Sequence, residues 1–203
     1  MTLIIVIITA VVSISAFSNR TLFVRLQFNP YQTYHRREWY RIITHGFLHV
    51  SWAHLIINML VLFSFGGTIE TAFREMSCHT WMKHPMLWYV IFYLLSLIIS
   101  SLTTLYKHKD DVWYNSAGAS GAVSAALFCS IFFDPGMTLL LMMVVPIKAY
   151  IFGPLYLLYS AYSARQANDN INHDAHLLGA LFGFFFPMMI DFRMVHRFLE
   201  QLF

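Results

Sequence analysis

Two short motifs, far apart in the sequence, contain the residue types that nucleophilic hydrolysis needs. Ser120 lies in Gly118-Ala119-Ser120-Gly121, and His176 lies in Ala175-His176-Leu177-Leu178-Gly179, each near the start of an apolar run. A serine hydroxyl is a weak nucleophile until a base within hydrogen-bonding reach accepts its proton, and histidine is the most frequent such base. The pair therefore predicts a dyad with Ser120 as nucleophile and His176 as general base.

The position of Ser120 along its apolar run predicts an unusual backbone. From Ser120 to Asp134, where a turn signal follows, there are 14 residues, which make about 21 Å of helix. A hydrocarbon core is about 30 Å thick, so Ser120 would lie about 10 Å below one surface if Asp134 marks the other. The backbone before Ser120 must then be non-helical, which Gly118 and Gly121 permit. For this motif alone, a serine that only links helices is the alternative.

The histidine motif carries a face of small residues. Gly179 and Gly183 form a G-x-x-x-G pattern that lets another helix approach closely. A matching stripe lies in the fourth apolar run: Ala117, Gly121 and Ala125. Contact between the two faces would bring His176 to the level of Ser120. The alternative is a histidine that is hydrogen-bonded between helices and has no part in catalysis.

An acidic third member of the dyad is not expected. Asp174 is only two residues before His176, so on a helix it would point away from the imidazole. The sequence predicts a dyad and no Ser-His-Asp triad.

A third group of polar residues precedes and opens the second apolar run. His54 and Asn58 are four residues apart and project from one face of a helix, where their side chains could stabilise an oxyanion. Such a donor is typically worth about 3–4 kcal/mol. His45 and His49 invite a metal or haem hypothesis, but Gly46 interrupts the helix and no carboxylate or cysteine lies nearby. They are better explained as loop anchors.

The composition predicts the surroundings of these residues. Of 203 residues, 58% are hydrophobic and 11% are charged, and the mean hydropathy is +0.59. A soluble domain of this size needs more charge to cover its surface, so the sequence predicts a membrane protein. The net charge of +3 is spread along the chain without a basic cluster, which excludes nucleic acid as a partner.

Uncharged runs recur along the whole chain and predict one all-α, polytopic membrane domain over residues 1–203. The predicted spans are about 1–17, 51–69, 86–106, 116–133, 146–164 and 174–190. Residues 137–145 are expected along the membrane surface, with Lys148 at the interface. The aromatic-rich loop 18–50 is expected to be interfacial.

The distribution of positive charges leaves the orientation open. The first, third and fifth loops hold eight Lys and Arg residues, against five on the other side. The positive-inside rule would therefore put the termini outside. Five of the eight charges lie in the long first loop, which is expected to be embedded and folded.

Five motifs in order resemble the rhomboid family. They are Trp39-Tyr40-Arg41, His54-x-x-x-Asn58, Gly66-Gly67-Thr68-Ile69-Glu70, Gly118-Ala119-Ser120-Gly121 and Ala175-His176-x-x-Gly179-x-x-x-Gly183. The resemblance extends from Trp39 to Gly183. It implies a six-helix bundle, termini inside, and an intramembrane serine protease without metal or cofactor.

The resemblance also implies roles for individual residues. Ser120 and His176 would be the dyad, and the Ser120 N–H, His54 and Asn58 would form the oxyanion hole. The substrates would be single-span membrane proteins, cleaved in or beside their transmembrane helices. At Ser124, four residues after the nucleophile, the family often has an aromatic residue. A non-catalytic rhomboid-like membrane chaperone is the alternative function.

The expected location follows from the same features. No organellar transit peptide is recognisable, and with the compact six-span form this favours a bacterial inner membrane.

Overall fold

The chain folds into a helical bundle with one small β-hairpin. The computed structural model describes residues 1–141, 144–166 and 171–202. The helices are Thr2–Ser18 (α1), Arg20–Leu26 (α2), Pro30–His35 (α3), Arg41–Thr44 (α4), Trp52–His79 (α5), Pro85–His108 (α6), Ser120–Phe133 (α7), Ala149–Gln166 (α8), His173–Ile190 (α9) and Met194–Leu202 (α10). A 3₁₀ turn, His45–Phe47, lies between α4 and α5. The strands are Thr138–Leu141 (β1) and Val145–Lys148 (β2), paired antiparallel.

Long apolar helices make the chain an integral membrane protein. In the part of the chain that the structure describes, α5, α6 and α9 are long and apolar enough to cross a bilayer. The apolar helices α1 and α7 are shorter, with 17 and 14 residues. Six helices overlap the six predicted spans, and three of them meet the length and hydropathy that spanning requires.

Helix α7 is the centre of the bundle. Eleven of its 14 residues are buried, on every side of the helix. It packs against α5, α6 and α9, and less extensively against α8. A helix that is apolar all round belongs in a protein core or in a membrane, and in α7 other helices cover most of its surface. In contrast, α5 leaves Ile56, Ile57 and Phe63 exposed, as expected for side chains that face lipid.

Glycines bring α7 and α9 into backbone contact. A Cβ atom at Gly179 would collide with the Gly121 carbonyl oxygen, and one at Gly183 would collide with the Ala125 carbonyl oxygen. The two helices can therefore pack this closely only without those side chains. The predicted contact between the G-x-x-x-G face and the small residues of the fourth apolar run is present at these positions.

The helix boundaries correct two predictions. The second predicted span ends at Ile69, but α5 continues to His79. Gly66 does not end the helix but lies inside it, where its missing side chain makes room for Thr2 and Tyr89 of the neighbouring helices.

The predicted start of the fifth helix near Pro146 is wrong, because Val145–Lys148 forms a strand that pairs with Thr138–Leu141 in a hairpin. Leu140 pairs with Pro146 and Leu139 with Ile147, as suits a run rich in branched side chains. Lys148 donates to the Gly136 carbonyl at 2.9 Å, which supports the end of the hairpin. Helix α8 begins after it, at Ala149.

The close packing of α7 and α9 gives a test of stability. We expect Gly183→Ala to lower the free energy of unfolding by about 2–3 kcal/mol, because the added methyl group must displace the backbone of α7. Thermal unfolding in mild detergent micelles measures the change.

The matched control is Gly67→Ala in α5. A Cβ atom at Gly67 has nothing within 4 Å, so the replacement should raise stability by about 0.5–1 kcal/mol through helix propensity. Equal behaviour of the two variants would contradict the proposed backbone contact.

Candidate active site

Ser120 is the first residue of α7, and a non-helical segment leads to it. Ser116 exchanges two backbone hydrogen bonds of 2.9 Å with Phe28, and the Gly118 N–H donates to the His45 carbonyl at 3.0 Å. Gly118 has a φ of +138°, which side chains rarely allow. The predicted non-helical backbone before Ser120 is therefore present, and the first loop holds it in place.

His176 lies in the first turn of α9, and its helix start is firmly anchored. Asn172 caps the helix by accepting from the Ala175 N–H at 3.0 Å, and its amide donates to Thr104 of α6 at 2.7 Å. Asp174 pairs with Lys107 of α6 at 2.8 Å. The carboxylate is thus engaged with another helix.

The contact between α7 and α9 brings the two motifs together. A Cβ atom at Gly121 would lie 3.2 Å from the Ala175 carbonyl oxygen. Ser120 directly precedes Gly121, His176 directly follows Ala175, and both residues are half-buried. The serine and the histidine therefore lie at the same level of the bundle on adjacent helices.

His54 lies against the backbone that precedes Ser120. A Cβ atom at Gly118 would be 2.7 Å from Cε1 and 3.0 Å from Nε2 of His54. Asn58, one turn further along α5, is buried and donates one amide hydrogen to the His54 carbonyl at 2.9 Å. The structure thus brings His54 close to the serine motif, and Asn58 supports the same turn of α5.

His45 and His49 have separate partners. His45 is hydrogen-bonded to Ser101 of α6 at 3.0 Å, and His49 to Ser13 of α1 at 3.0 Å. Burial lowers the pKa of His45 to about 4. Burial, with a smaller contribution from His54, lowers the pKa of His49 to about 3. Across residues 1–141, 144–166 and 171–202, no three His, Cys, Asp or Glu side chains form a cluster that could hold a metal.

Arg41 organises the first loop from a buried position. Its guanidinium donates to Glu38 at 2.6 Å, to the Val24 carbonyl at 2.9 Å and to the Gln27 carbonyl at 2.8 Å. Burial raises the pKa of Glu38, but the hydrogen bond and the charge of Arg41 outweigh it and hold the pKa below its usual value. These bonds end α2 and set the direction of the chain into Phe28. Arg41 therefore supports the segment before Ser120 indirectly.

Sequence reasoning missed Tyr156 of α8. Its hydroxyl is 2.7 Å from the Ser124 hydroxyl, and its ring packs on Phe128 of α7. An aromatic ring thus reaches Ser124 from another helix. The sequence contained no signal for it, because residues 124 and 156 are 32 positions apart and no shared motif connects them.

His173 also lies beside His176. The centres of the two imidazole rings are 6.0 Å apart, and the ring planes are nearly perpendicular. His173 is buried, with its ring against Tyr159 of α8. His173 lies just before the predicted sixth span, and nothing in the sequence indicated this contact.

Two comparisons relate this chain to known proteins. A family profile described as "Rhomboid domain" matches residues 36–191. The chain is 29% identical over 143 residues to a protein of Arabidopsis thaliana named RHOMBOID-like protein 12, mitochondrial. That alignment covers 68% of the chain and 43% of the relative, so the chain spans less than half the length of this relative. The profile match includes the serine and the histidine motifs.

The buried neutral His49 makes stability depend on pH. Its pKa of about 3 in the folded protein lies below the unfolded value of 6.5, so the unfolded chain binds a proton that the folded chain excludes. The contribution is complete above about pH 6.5 and is lost as the pH falls towards 3. We expect the thermal unfolding midpoint in micelles to fall steeply between pH 7 and pH 4.

The variant His49→Asn should reduce this pH dependence while lowering the midpoint at pH 7. Part of the slope should remain, because burial also lowers the pKa of His45. His79→Asn, which removes an exposed ring, is the matched control and should keep the wild-type slope. If the unfolding midpoint of His49→Asn depends on pH as steeply as that of the wild type, the low pKa of His49 in the folded protein is contradicted.

Proposed function

Since the chain belongs to the rhomboid family, we propose that it is an intramembrane serine endopeptidase that uses Ser120 and His176 as a catalytic dyad. The observation that carries this proposal is the contact of Gly121 with the Ala175 carbonyl, because it sets the two motifs side by side. Five family motifs in the expected order support it further.

The proposed reaction begins with proton transfer from Ser120 to His176. The Ser120 Oγ attacks the carbonyl carbon of the scissile bond, and the carbonyl oxygen becomes an oxyanion. As the C–N bond breaks, His176 gives its proton to the leaving amine. A water molecule then attacks the acyl-enzyme while His176 accepts its proton. The acyl C–O bond to Ser120 breaks, His176 returns the proton to the serine oxygen, and the product leaves as a carboxylic acid.

The proposed oxyanion hole combines one backbone and two side-chain donors. As the first residue of α7, Ser120 has an N–H without a partner inside the helix, and the positive end of the helix dipole lies there. His54 is the first side-chain donor, supported by its contact with Gly118. Asn58 is the second, since one of its two amide hydrogens remains after the bond to the His54 carbonyl.

The proposed substrates are single-span membrane proteins. A peptide bond within a helix is shielded and its carbonyl is already hydrogen-bonded, so the substrate must unwind locally to be cleaved. Small or helix-breaking residues near the cleaved bond lower the cost of this unwinding. The substrate would come from the lipid, and water would come from the side of the first loop.

The proposed architecture is a six-span bundle. Helices α1, α7 and α8 would cross together with α5, α6 and α9. A 14-residue α7 makes about 21 Å of helix, less than the hydrocarbon core. The non-helical segment before Ser120 would complete the crossing, covered by protein as membrane depth requires.

The second candidate function is a non-catalytic rhomboid-like membrane chaperone. The observation that favours it is Ser124, where the family often has an aromatic residue four positions after the serine. In this candidate, Tyr156 and Ser124 form a structural link between α7 and α8, and the bundle binds unstable helices without cleaving them.

The membrane in which the protein works has two candidates. The sequence predicts a bacterial inner membrane, while the Arabidopsis relative is named as mitochondrial. The proposed reaction needs only a bilayer with single-span substrates, so it applies to either membrane.

We expect Ser120→Ala and His176→Ala each to abolish cleavage of a reconstituted single-span substrate, with a loss of at least about 10³-fold. Without its base or its nucleophile the dyad cannot form an acyl-enzyme. Labelling by a fluorophosphonate probe, which needs an activated serine, should be lost in parallel.

The matched control is Ser64→Ala, which removes an exposed hydroxyl bonded only to its own helix at Leu60. It should keep cleavage and labelling. A wild-type protein that folds but neither labels nor cleaves would favour the chaperone, and cleavage by Ser120→Ala would overturn the dyad.

We expect Asn58→Ala to lower kcat by about 10²-fold with little change in KM, because an oxyanion donor acts mainly in the transition state. Steady-state kinetics with the reconstituted substrate measures both constants. Thermal unfolding of the variant controls for the lost bond to the His54 carbonyl. A rise in KM with kcat unchanged would contradict the role.

A further inference from the structure

Three polar residues form a chain from α1 to His54. His49 is fully buried, and its Nδ1 lies 3.0 Å from the hydroxyl of Ser13 in α1. The same hydroxyl lies 2.9 Å from the Phe47 carbonyl oxygen. On its other side, the His49 ring contacts the His54 ring edge-to-face, with 4.9 Å between their centres.

The direction of the hydrogen bonds fixes the tautomer of His49. A carbonyl oxygen can only accept, so the single hydrogen of the Ser13 hydroxyl goes to Phe47. The Ser13 oxygen must then accept from His49, which places the proton of the neutral imidazole on Nδ1. Burial keeps this imidazole neutral by lowering its pKa to about 3. The Nε2 atom of His49 therefore carries no proton, and its lone pair can accept a hydrogen bond.

The two contacting rings each have a buried nitrogen that needs a partner. Within the described residues, His49 Nε2 and His54 Nδ1 have no hydrogen-bond partner, and no direct bond joins them. One buried water can bridge the two nitrogens. It donates to both when His54 carries its proton on Nε2, which is also the tautomer that can donate from the ring edge beside Gly118.

We propose that Ser13 and His49 are positioning residues for His54, acting through one water that donates to His49 Nε2 and His54 Nδ1. This fixes His54 as the Nε2–H tautomer and directs that N–H towards Gly118 and the serine motif. The inference rests on the proposed function, because it explains how His54 would be prepared as an oxyanion donor.

The opposite face of His54 agrees with this orientation. Of the ring atoms near Gly118, Cε1 and Nε2 would lie 2.7 and 3.0 Å from an added Cβ atom, whereas Nδ1 would lie at 3.8 Å. The ring is thus held between the bare backbone of Gly118 and the imidazole of His49. A histidine held in this way needs no rearrangement when an oxyanion forms.

The first experiment reads the tautomers directly in the full chain. Nitrogen-15 NMR of the histidine rings in micelles should show the proton on Nδ1 for His49 and on Nε2 for His54. His49→Asn keeps an amide near the Nδ1 position and removes the Nε2 acceptor, so His54 should become a mixture of tautomers. Ser13→Ala should shift the same signals.

Two controls separate positioning from folding. His49→Gln restores an acceptor near the Nε2 position and should return His54 to the Nε2–H form. Ser15→Ala removes a hydroxyl on the same helix that bonds only to the Val11 carbonyl, so it should leave both histidines unchanged. A wild-type His54 protonated on Nδ1, or a His54 signal that His49→Asn leaves unchanged, would overturn the inference.

Kinetics supply an independent test. His49→Asn should lower kcat by about 10-fold to 100-fold with little change in KM, and His49→Gln should recover most of it. In a His54→Ala background, His49→Asn should have no further effect, since the residue acts only through His54. If the losses in kcat caused by His49→Asn and His54→Ala were additive, the inference that His49 acts through His54 would be overturned. If the wild type proves inactive, the proposed function fails, but the NMR tautomers still test whether His49 positions His54. The failure of the proposed function and the failure of this inference are therefore distinguishable.

Discussion

The contact between α7 and α9 determines where Ser120 and His176, the two proposed members of the dyad, can lie. At Gly179 and Gly183 the backbones approach so closely that a side chain would collide with carbonyl oxygens of α7. In a membrane, where burial in lipid gives no hydrophobic drive between helices, such close packing is a main source of association. It fixes the distance and the register of the two helices together. Because Gly121 meets Ala175 within the same contact, the first turn of each helix takes its position from this packing.

The segment before Ser120 depends on a second constraint: its backbone N–H and C=O groups need hydrogen-bond partners. A non-helical chain beside the membrane core must find partners for its polar groups within the protein. The first loop supplies them, through the pairing of Phe28 with Ser116 and the bond from Gly118 to the His45 carbonyl. Arg41 holds that loop in turn. A residue far from Ser120 thereby supports the serine motif without contacting it.

The histidines show how burial assigns different tasks to similar side chains. His45 and His49 are fully or nearly enclosed, each with one serine partner, and both are held neutral. Their hydrogen bonds connect the first loop to helices α1 and α6. His54 and His176 are less buried and lie beside the serine motif, where a group must exchange protons or donate to a developing charge.

The sequence by itself determined the membrane class, the six long apolar runs, the Ser120 and His176 motifs and their small-residue faces, because hydropathy and short-range spacing express these directly. It also determined the non-helical approach to Ser120 from the length of one run. It did not reveal the short helices α2, α3 and α4 within the first loop. Only the tertiary structure decided what depends on contacts between distant segments. The hairpin around Pro146 needs cross-strand pairing, the extension of α5 needs the packing of Gly66, and Tyr156 and Ser13 reach the site from other helices. Such contacts leave no periodicity in the chain, and they appear only when the helices pack.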